Sequence, residues 1–272
     1  VKRLFLFLLL LICGVSSYAQ QNEFGLSAGG STYFGDLNTQ TSFNYSHLSF
    51  GAYYRYNYDS RLSLKLQASM TKLEANDSSA DNYFQRQRNL SFYSNLFEVA
   101  LTGEFNFLDY ASTNPKYNFT PYLTTGIAIL NFDPKTTYQG NEYRLQPIGT
   151  EGQGLPQYSD KSPYKLVTTA WVLGGGFKYR INRNLSTFIE IANRKTHSDY
   201  IDDASGLYPD RQILFNEGGP LKVNLSDRSI EKSDVPVGQT NKMRGDSKKR
   251  DDYLFFQIGV SITINTYKCP YQ

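Results

Sequence analysis

The chain has 272 residues, room for one large β domain or two smaller ones. Its 28 Lys+Arg against 25 Asp+Glu give a formal net charge of +3, a balance that offers no argument for a nucleic-acid partner. The two cysteines, Cys13 and Cys269, lie near opposite ends, so a chain that loses its leader has no pair for an internal disulfide.

Lys2 and Arg3 precede the apolar run Leu4 to Ile12, and Ser17-Tyr18-Ala19 places small residues at the −3 and −1 positions of a signal-peptidase site. Residues 1–19 are therefore expected to be a secretory signal peptide and residues 20–272 the mature domain. Cleavage as a lipoprotein at Cys13 fits poorly, because Ile12 stands where such sites want a small residue. Tyr (22) and Phe (18) are abundant while the mean hydropathy is negative. No later apolar run approaches the roughly 20 residues of a membrane helix.

Period-two alternation dominates the rest. Strand one is expected from Glu23 to about Gly30, followed by a polar stretch, 31–46. From Leu48 to Met70 a hairpin alternates Leu48, Phe50, Ala52, Tyr54, Tyr56 and Tyr58 with polar positions, breaks at Asp59-Ser60, then restarts with Leu62, Leu64, Leu66, Ala68 and Met70. Each arm has about the 9–11 residues that cross a bilayer as a tilted strand. Further strands are expected over 90–108, 119–131, 166–181, 185–196 and 253–266, the last carrying Leu254, Phe256, Ile258, Val260, Ile262 and Ile264 on one face.

Eight strands joined by alternately long and short connections predict an all-β, eight-stranded antiparallel up-and-down transmembrane β-barrel of the outer membrane. Both termini are then periplasmic, and 31–46, 73–89, 132–165 and 197–252 are external loops. A soluble lipocalin-like barrel would turn its apolar faces inward and lack this rhythm.

A barrel of eight strands encloses only enough space for side chains to fill. The inward set, Arg55, Lys65, Glu98, Glu104, Lys178, Arg180, Glu190 and Arg194, is expected to pair into a neutral plug rather than to form an ion path. Catalysis is not expected. In His197-Ser198-Asp199 a continuing strand would send His197 and Ser198 to opposite faces, which spoils a nucleophile–base pair; a base would then have to be the other histidine, His47, approaching from elsewhere in the fold. Asp199, Asp202, Asp203 and Asp36 offer oxygen ligands of the kind calcium takes, but a solvated acidic loop explains them more simply. Arg244-Gly245-Asp246 matches an adhesive tripeptide that recurs easily by chance, and Gly174-Gly175-Gly176 lies mid-strand with no helix behind it, unlike a phosphate loop. No cofactor, metal or small-molecule substrate is called for.

Several loop words are more specific than the periodicity. They are Tyr33-Phe34-Gly35-Asp36-Leu37, Tyr54-Arg55-Tyr56-Asn57, Arg88-Asn89-Leu90-Ser91-Phe92, Pro121 to Ile127, Thr150-Glu151-Gly152-Gln153-Gly154, Ser198 to Ser205 and Lys268-Cys269-Pro270. Together, over nearly the whole mature chain, the sequence resembles the PorG-like family, the small outer-membrane barrel of the Bacteroidetes type IX secretion system.

The resemblance implies a non-catalytic role: contact with a periplasmic ring of a lipoprotein and its partner, in a machine that exports proteins with C-terminal sorting domains and in many relatives supports gliding motility. It carries no catalytic residues. The interaction candidates are Thr150, Glu151, Gly152, Gln153 and Gly154, then Asp199, Tyr200, Asp202 and Asp203, and Cys269. By topology the ring-facing surface is the 109–118 connection, the turns at Asp59 and Asn182, and the tail 267–272. There Cys269, in an oxidising periplasm, is either linked to a ring subunit or incidentally unpaired. The alternative role is an OmpA-like envelope barrel whose external loops bind ligands or surfaces, and a lipid-modifying enzyme comes third.

Overall fold

The computed structural model describes residues 21–40, 42–110 and 117–265. The expected leader and Cys269 lie outside the described residues. Eight long strands form the wall: β1 (Gln21–Phe34), β2 (His47–Asn57), β3 (Leu62–Asn76), β4 (Ser91–Asn106), β5 (Phe119–Asn131), β8 (Val167–Arg180), β9 (Leu185–Thr196) and β10 (Asp252–Asn265). Every neighbouring pair is antiparallel. Pairing of β1 with β10 and of β3 with β4 closes the ring, so no sheet edge remains in the wall.

Tight turns join the wall at one end. In the β2–β3 turn the Asp59 carboxylate accepts from the Arg61 and Leu62 backbone N–H groups, both at 2.7 Å. Asn182 repeats the device between β8 and β9, accepting from the Asn184 and Leu185 N–H groups at 2.9 Å. Short polar side chains that mimic a backbone turn are what these positions require.

The alternation falls as expected. Phe50, Leu66, Phe97, Ile127, Trp171, Leu173, Phe177, Ile191, Ile258 and Ile262 point out of the wall, while Ser49, Lys65, Gln67, Glu98, Thr124, Lys178, Glu190 and Gln257 are buried inside it. An apolar belt around a closed wall with a polar interior is the design of a barrel whose solvent is lipid. No helix among the described residues is long and apolar enough to cross a membrane, so crossing falls to the strands. The protein is an outer-membrane β-barrel.

Three expectations are corrected. β1 runs four residues past Gly30, so Tyr33 and Phe34 belong to the wall and not to a loop. The 132–165 segment is not a plain loop: it folds as a hairpin of β6 (Lys135–Tyr138) and β7 (Asn141–Arg144) that continues β4 upward through Tyr93 and Lys135. Helix also enters the external segments, as α1 (Tyr83–Arg88), α2 (Leu145–Ile148) and α3 (Arg211–Ser226). α3 breaks at Gly219, whose φ of 67° no ordinary residue adopts cheaply, ahead of Pro220.

Candidate functional site

Two clusters of buried charge lie one above the other, separated by an apolar layer. The lower cluster lies in the half of the lumen next to the short turns. Glu104 is its hub, reached by Arg55 Nε at 2.8 Å, Lys178 Nζ at 2.6 Å and Lys65 Nζ at 3.4 Å. Lys65 also pairs with Glu190 at 2.6 Å, and Arg55 with Glu23 at 2.8 Å. The Tyr122 hydroxyl donates to Glu190 at 2.8 Å, and Asn57 and Ser261 donate to Glu23 at 2.7 and 2.9 Å. Rings of Tyr53, Phe188 and Tyr122 face the same cations at 4.7–5.4 Å. Arg55, Lys65, Glu104, Lys178 and Glu190 therefore pair, as the sequence led us to expect.

Above them the inward positions turn apolar. Phe92, Leu96, Leu73, Phe132, Tyr33, Tyr253 and Phe255 pack with Leu145, Ile201 and Ala204 from the external loops. The ring of Tyr33 meets Phe92 edge-on at 4.9 Å. Sequence reasoning assigned the inward face as polar and missed this plug. The signal was there: Tyr253-Leu254-Phe255-Phe256 is apolar in both phases, as a strand buried on both sides requires.

The upper cluster caps the barrel, and two arginines tie all four external segments into it. Arg88 makes a bidentate pair with Asp77, both bonds at 2.7 Å, and donates to the Asp36 carbonyl at 2.9 Å and to the Arg244 carbonyl. Arg244 donates to Glu151 at 3.1 Å, to the Asp203 carboxylate at 3.3 Å and carbonyl oxygen, and to the Ser226 carbonyl at 3.1 Å. Arg244-Gly245-Asp246 is thus no displayed adhesive tripeptide, since its arginine is 2 % exposed.

The two most specific loop words meet here. Thr150 Oγ1 donates to Asp203 at 2.5 Å, and Tyr164 donates to its other oxygen at 2.6 Å. Glu151 accepts from the Ser205 and Gly206 backbone N–H groups at 2.9 and 3.1 Å. Gly152 and Gly154 have φ of 83° and 78°, and a Cβ on Gly152 would stand 2.5 Å from the Tyr158 ring. Tyr200 stacks on Tyr164 with centroids 4.7 Å apart. Of the interaction candidates described, Thr150, Glu151, Gln153, Asp202 and Asp203 are buried, while Asp199 and Tyr200 reach the surface in part. The solvated acidic loop expected from the sequence is therefore replaced by a buried one. Among the described residues no group of His, Cys, Asp and Glu is placed to hold a metal ion.

Carboxylates outnumber arginines in this cap, and their ionisation responds. Burial, reinforced by Asp36, pushes Asp202 up to about 8. Burial likewise raises Asp36 and Asp199 to about 7 and Asp203 to about 6, the last opposed by Arg244. Asp251 is raised well above the usual carboxylate range by burial and by Asp202. Geometry agrees. The Tyr33 oxygen lies 2.6 Å from both Asp202 and Asp251, and one hydroxyl proton serves only one of them. The other carboxyl must carry a proton and donate it to the tyrosine oxygen.

No nucleophile–base pair forms at the His197-Ser198 step. β9 ends at Thr196, His197 Nδ1 lies 3.0 Å from Thr169 Oγ1, and Ser198 Oγ accepts from the Tyr200 N–H at 3.2 Å. His47 pairs instead with Glu74 at 3.1 Å.

Among solved structures, the chain is similar to the N-terminal β-barrel domain of Pseudomonas aeruginosa OprF, at 13 % identity and a TM-score of 0.38, covering 90 % of this chain and 99 % of that one. It is also similar to Yersinia pestis Ail in complex with the heparin analogue sucrose octasulfate, at 7 % identity and a TM-score of 0.43, covering 91 % and 100 %. Pseudomonas aeruginosa OprG gives 9 % identity and a TM-score of 0.42, covering 91 % and 97 %. No curated protein matches the chain. Residues 2–214, which include seven of the eight wall strands, match the family model described as "Domain of unknown function (DUF6089)". The chain belongs to the DUF6089 family.

Proposed function

We propose that this barrel is a non-catalytic structural component of the type IX secretion machine. In this reading it anchors or contacts the machine's periplasmic lipoprotein ring and that lipoprotein's partner, and it supports export of proteins with C-terminal sorting domains and, where the cell glides, motility. One observation carries the reading. The Thr150–Gly154 and Ser198–Ser205 words, on which the PorG-like resemblance chiefly rests, interlock through Thr150–Asp203 and Glu151–Ser205 into one buried unit. Their shared role is to shut the barrel's outer end above a lumen already filled by ion pairs. A sealed, filled barrel suits an anchor better than a pore.

The alternative, an OmpA-like envelope barrel that binds surfaces through its external loops, is favoured by the exposed Tyr83, Phe215, Val235 and Met243 on the cap. The protein content of the medium from a clean deletion strain separates the two. Loss of proteins with C-terminal sorting domains, restored by complementation, is the expected result. An unchanged secretome with altered adhesion or envelope integrity would replace the export role with the envelope one.

A further inference from the structure

Lys195, Lys248, Lys249 and Arg250 line a cavity of about 410 Å³ together with Asp252. All four cations are exposed, and none of the four forms a salt bridge among the described residues. Three other cations at the same end are paired: Lys72 with Glu74, Lys135 with Glu142 and Arg144 with Asp133. Four cations thus share one lining in which Asp252 is the one carboxylate.

Its height on the wall is informative. The outward face of β9 reads Ile189, Ile191, Asn193, Lys195 toward the external end, passing from apolar through polar to cationic. Lys195 is paired in register with Trp171 on β8 and Asp252 on β10. Trp171 is 58 % exposed, an aromatic at the level where barrels carry their interfacial girdle. Four residues of tilted strand separate Ile191 from Lys195, roughly 10 Å along the membrane normal. That places the cations at the depth of the headgroups.

The basic turn is also held in place. Asp246 N–H donates to Asp36 at 2.9 Å on one side. On the other, the Asp251 carbonyl accepts from Thr196 Oγ1 at 2.7 Å and from its N–H at 3.1 Å. Between them Lys249 N–H closes a turn onto the Asp246 carbonyl at 2.9 Å. Three consecutive cations are therefore presented beside Lys195 by a pinned segment.

We infer that this cavity binds the phosphate of a phosphorylated glycolipid headgroup in the outer leaflet of the membrane. The acyl chains of such a lipid would run down the wall past Trp171 and Ile191, so lipid packing and phosphate pairing act on one molecule. A cation near an anionic lipid surface strengthens binding about five-fold. The inference depends on the barrel's orientation and not on a role in export.

The full-length protein, purified from outer membranes and exchanged into neutral-lipid nanodiscs, would be titrated with bis-phosphorylated lipid A, with its dephosphorylated form and with inorganic phosphate, bound lipid being read by native mass spectrometry. Wild-type protein is expected to bind the phosphorylated form at least tenfold more tightly than the dephosphorylated one. The combined variant K248Q/K249Q/R250Q should lose that preference, and millimolar inorganic phosphate should not compete. Equal binding of the two lipid forms by wild-type protein overturns the inference without any variant. Full competition by inorganic phosphate would turn the site into a free-anion site, and preferential binding of dextran sulfate would assign it to acidic polysaccharide; either result overturns the lipid reading. Heat-modifiable migration of the variant on gels verifies that it has folded, and Lys195→Gln gives an independent arm on the wall itself.

Discussion

The lower and upper charge clusters of this barrel both set buried carboxylates against buried cations, and they respond to opposite constraints. In the lower cluster each glutamate is met by at least one cation: Glu104 by three, Glu23 by Arg55 and Glu190 by Lys65. In the cap, Arg88 and Arg244 serve Asp77, Glu151 and Asp203, while Asp36, Asp202 and Asp251 are left to backbone N–H groups and Tyr33. The lower network is neutralised by ion pairing, the upper one in part by protons. The first holds itself together by opposite charges in contact, whereas the second is held together by protons that bulk water can remove.

The sharpest way to break the lower network is to remove its hub. Glu104→Gln leaves Lys178 with no carboxylate in contact, while Arg55 keeps Glu23 and Lys65 keeps Glu190. An unpaired buried charge of this kind costs about 3–5 kcal/mol. Urea unfolding of the refolded barrel in bilayers or micelles should show that loss, while Ser63→Ala nearby serves as a mild control. A change below 1 kcal/mol would mean that water or lipid headgroups reach the lumen.

Arg244→Met asks the same of the cap. Glu151 and Asp203 lose their cation, but Asp203 is already raised to about 6 and takes a proton at modest expense. We expect about 2–3 kcal/mol, confined to the loops. Limited proteolysis should cut 206–250 much faster in the variant, with the wall still migrating as a folded barrel. Equal loss of wall stability would show that cap and wall unfold as one unit.

The proton-dependent part of the cap has a definite sign. Asp36, Asp199, Asp202, Asp203 and Asp251 all have pKa values raised above the unfolded value of about 3.9. The folded cap therefore binds more protons than the unfolded chain, so its stability is greatest at low pH and declines as pH climbs through about 6 to 8. Amide protection in 199–206 and 246–251, taken relative to the base-catalysed intrinsic exchange rate, should fall between pH 6 and pH 9. Asp202→Asn, which keeps the shape and removes the titration, should flatten that slope. A slope of opposite sign would show that the arginines dominate after all.

How much of this was legible in the sequence follows from what each part of the chain faces. The wall was legible because lipid on one side and a polar lumen on the other impose strict alternation, as in β2 and β3. The lumen ion pairs followed because Arg55, Lys65 and Glu104 occupy the inward phase, and buried charges need partners. The cap was not, because its contacts join residues far apart in sequence, such as Arg244 with Glu151, and no local period encodes them. Its composition read as solvated loop. The one available hint was the pair of glycines in Thr150–Gly154: Gly152 and Gly154 mark a backbone with positive φ, and thus an ordered turn rather than a mobile one.

The smallest expected effect on stability lies at the opposite end, where the short turns present the surface proposed to meet the periplasmic ring. Arg61 Nε donates to Asp109 at 2.8 Å across the gap between the β2–β3 turn and the segment after β4, and both side chains are about half exposed. Such a pair contributes less than about 1 kcal/mol. The turn itself is kept by other bonds, Asn106 N–H to the Arg61 carbonyl at 2.7 Å and Tyr110 N–H to the Ser60 carbonyl at 3.2 Å. Arg61→Glu should therefore leave urea unfolding of the barrel nearly unchanged while replacing a cation by an anion on the face proposed to meet the ring. On the export reading, secretion of proteins with C-terminal sorting domains should fall in a strain carrying only this variant. Unaltered secretion would remove the β2–β3 turn from the contact and direct attention to the Asn182 turn. Because stability is nearly indifferent to Arg61, either outcome speaks to docking alone, which no substitution in the two buried networks can do.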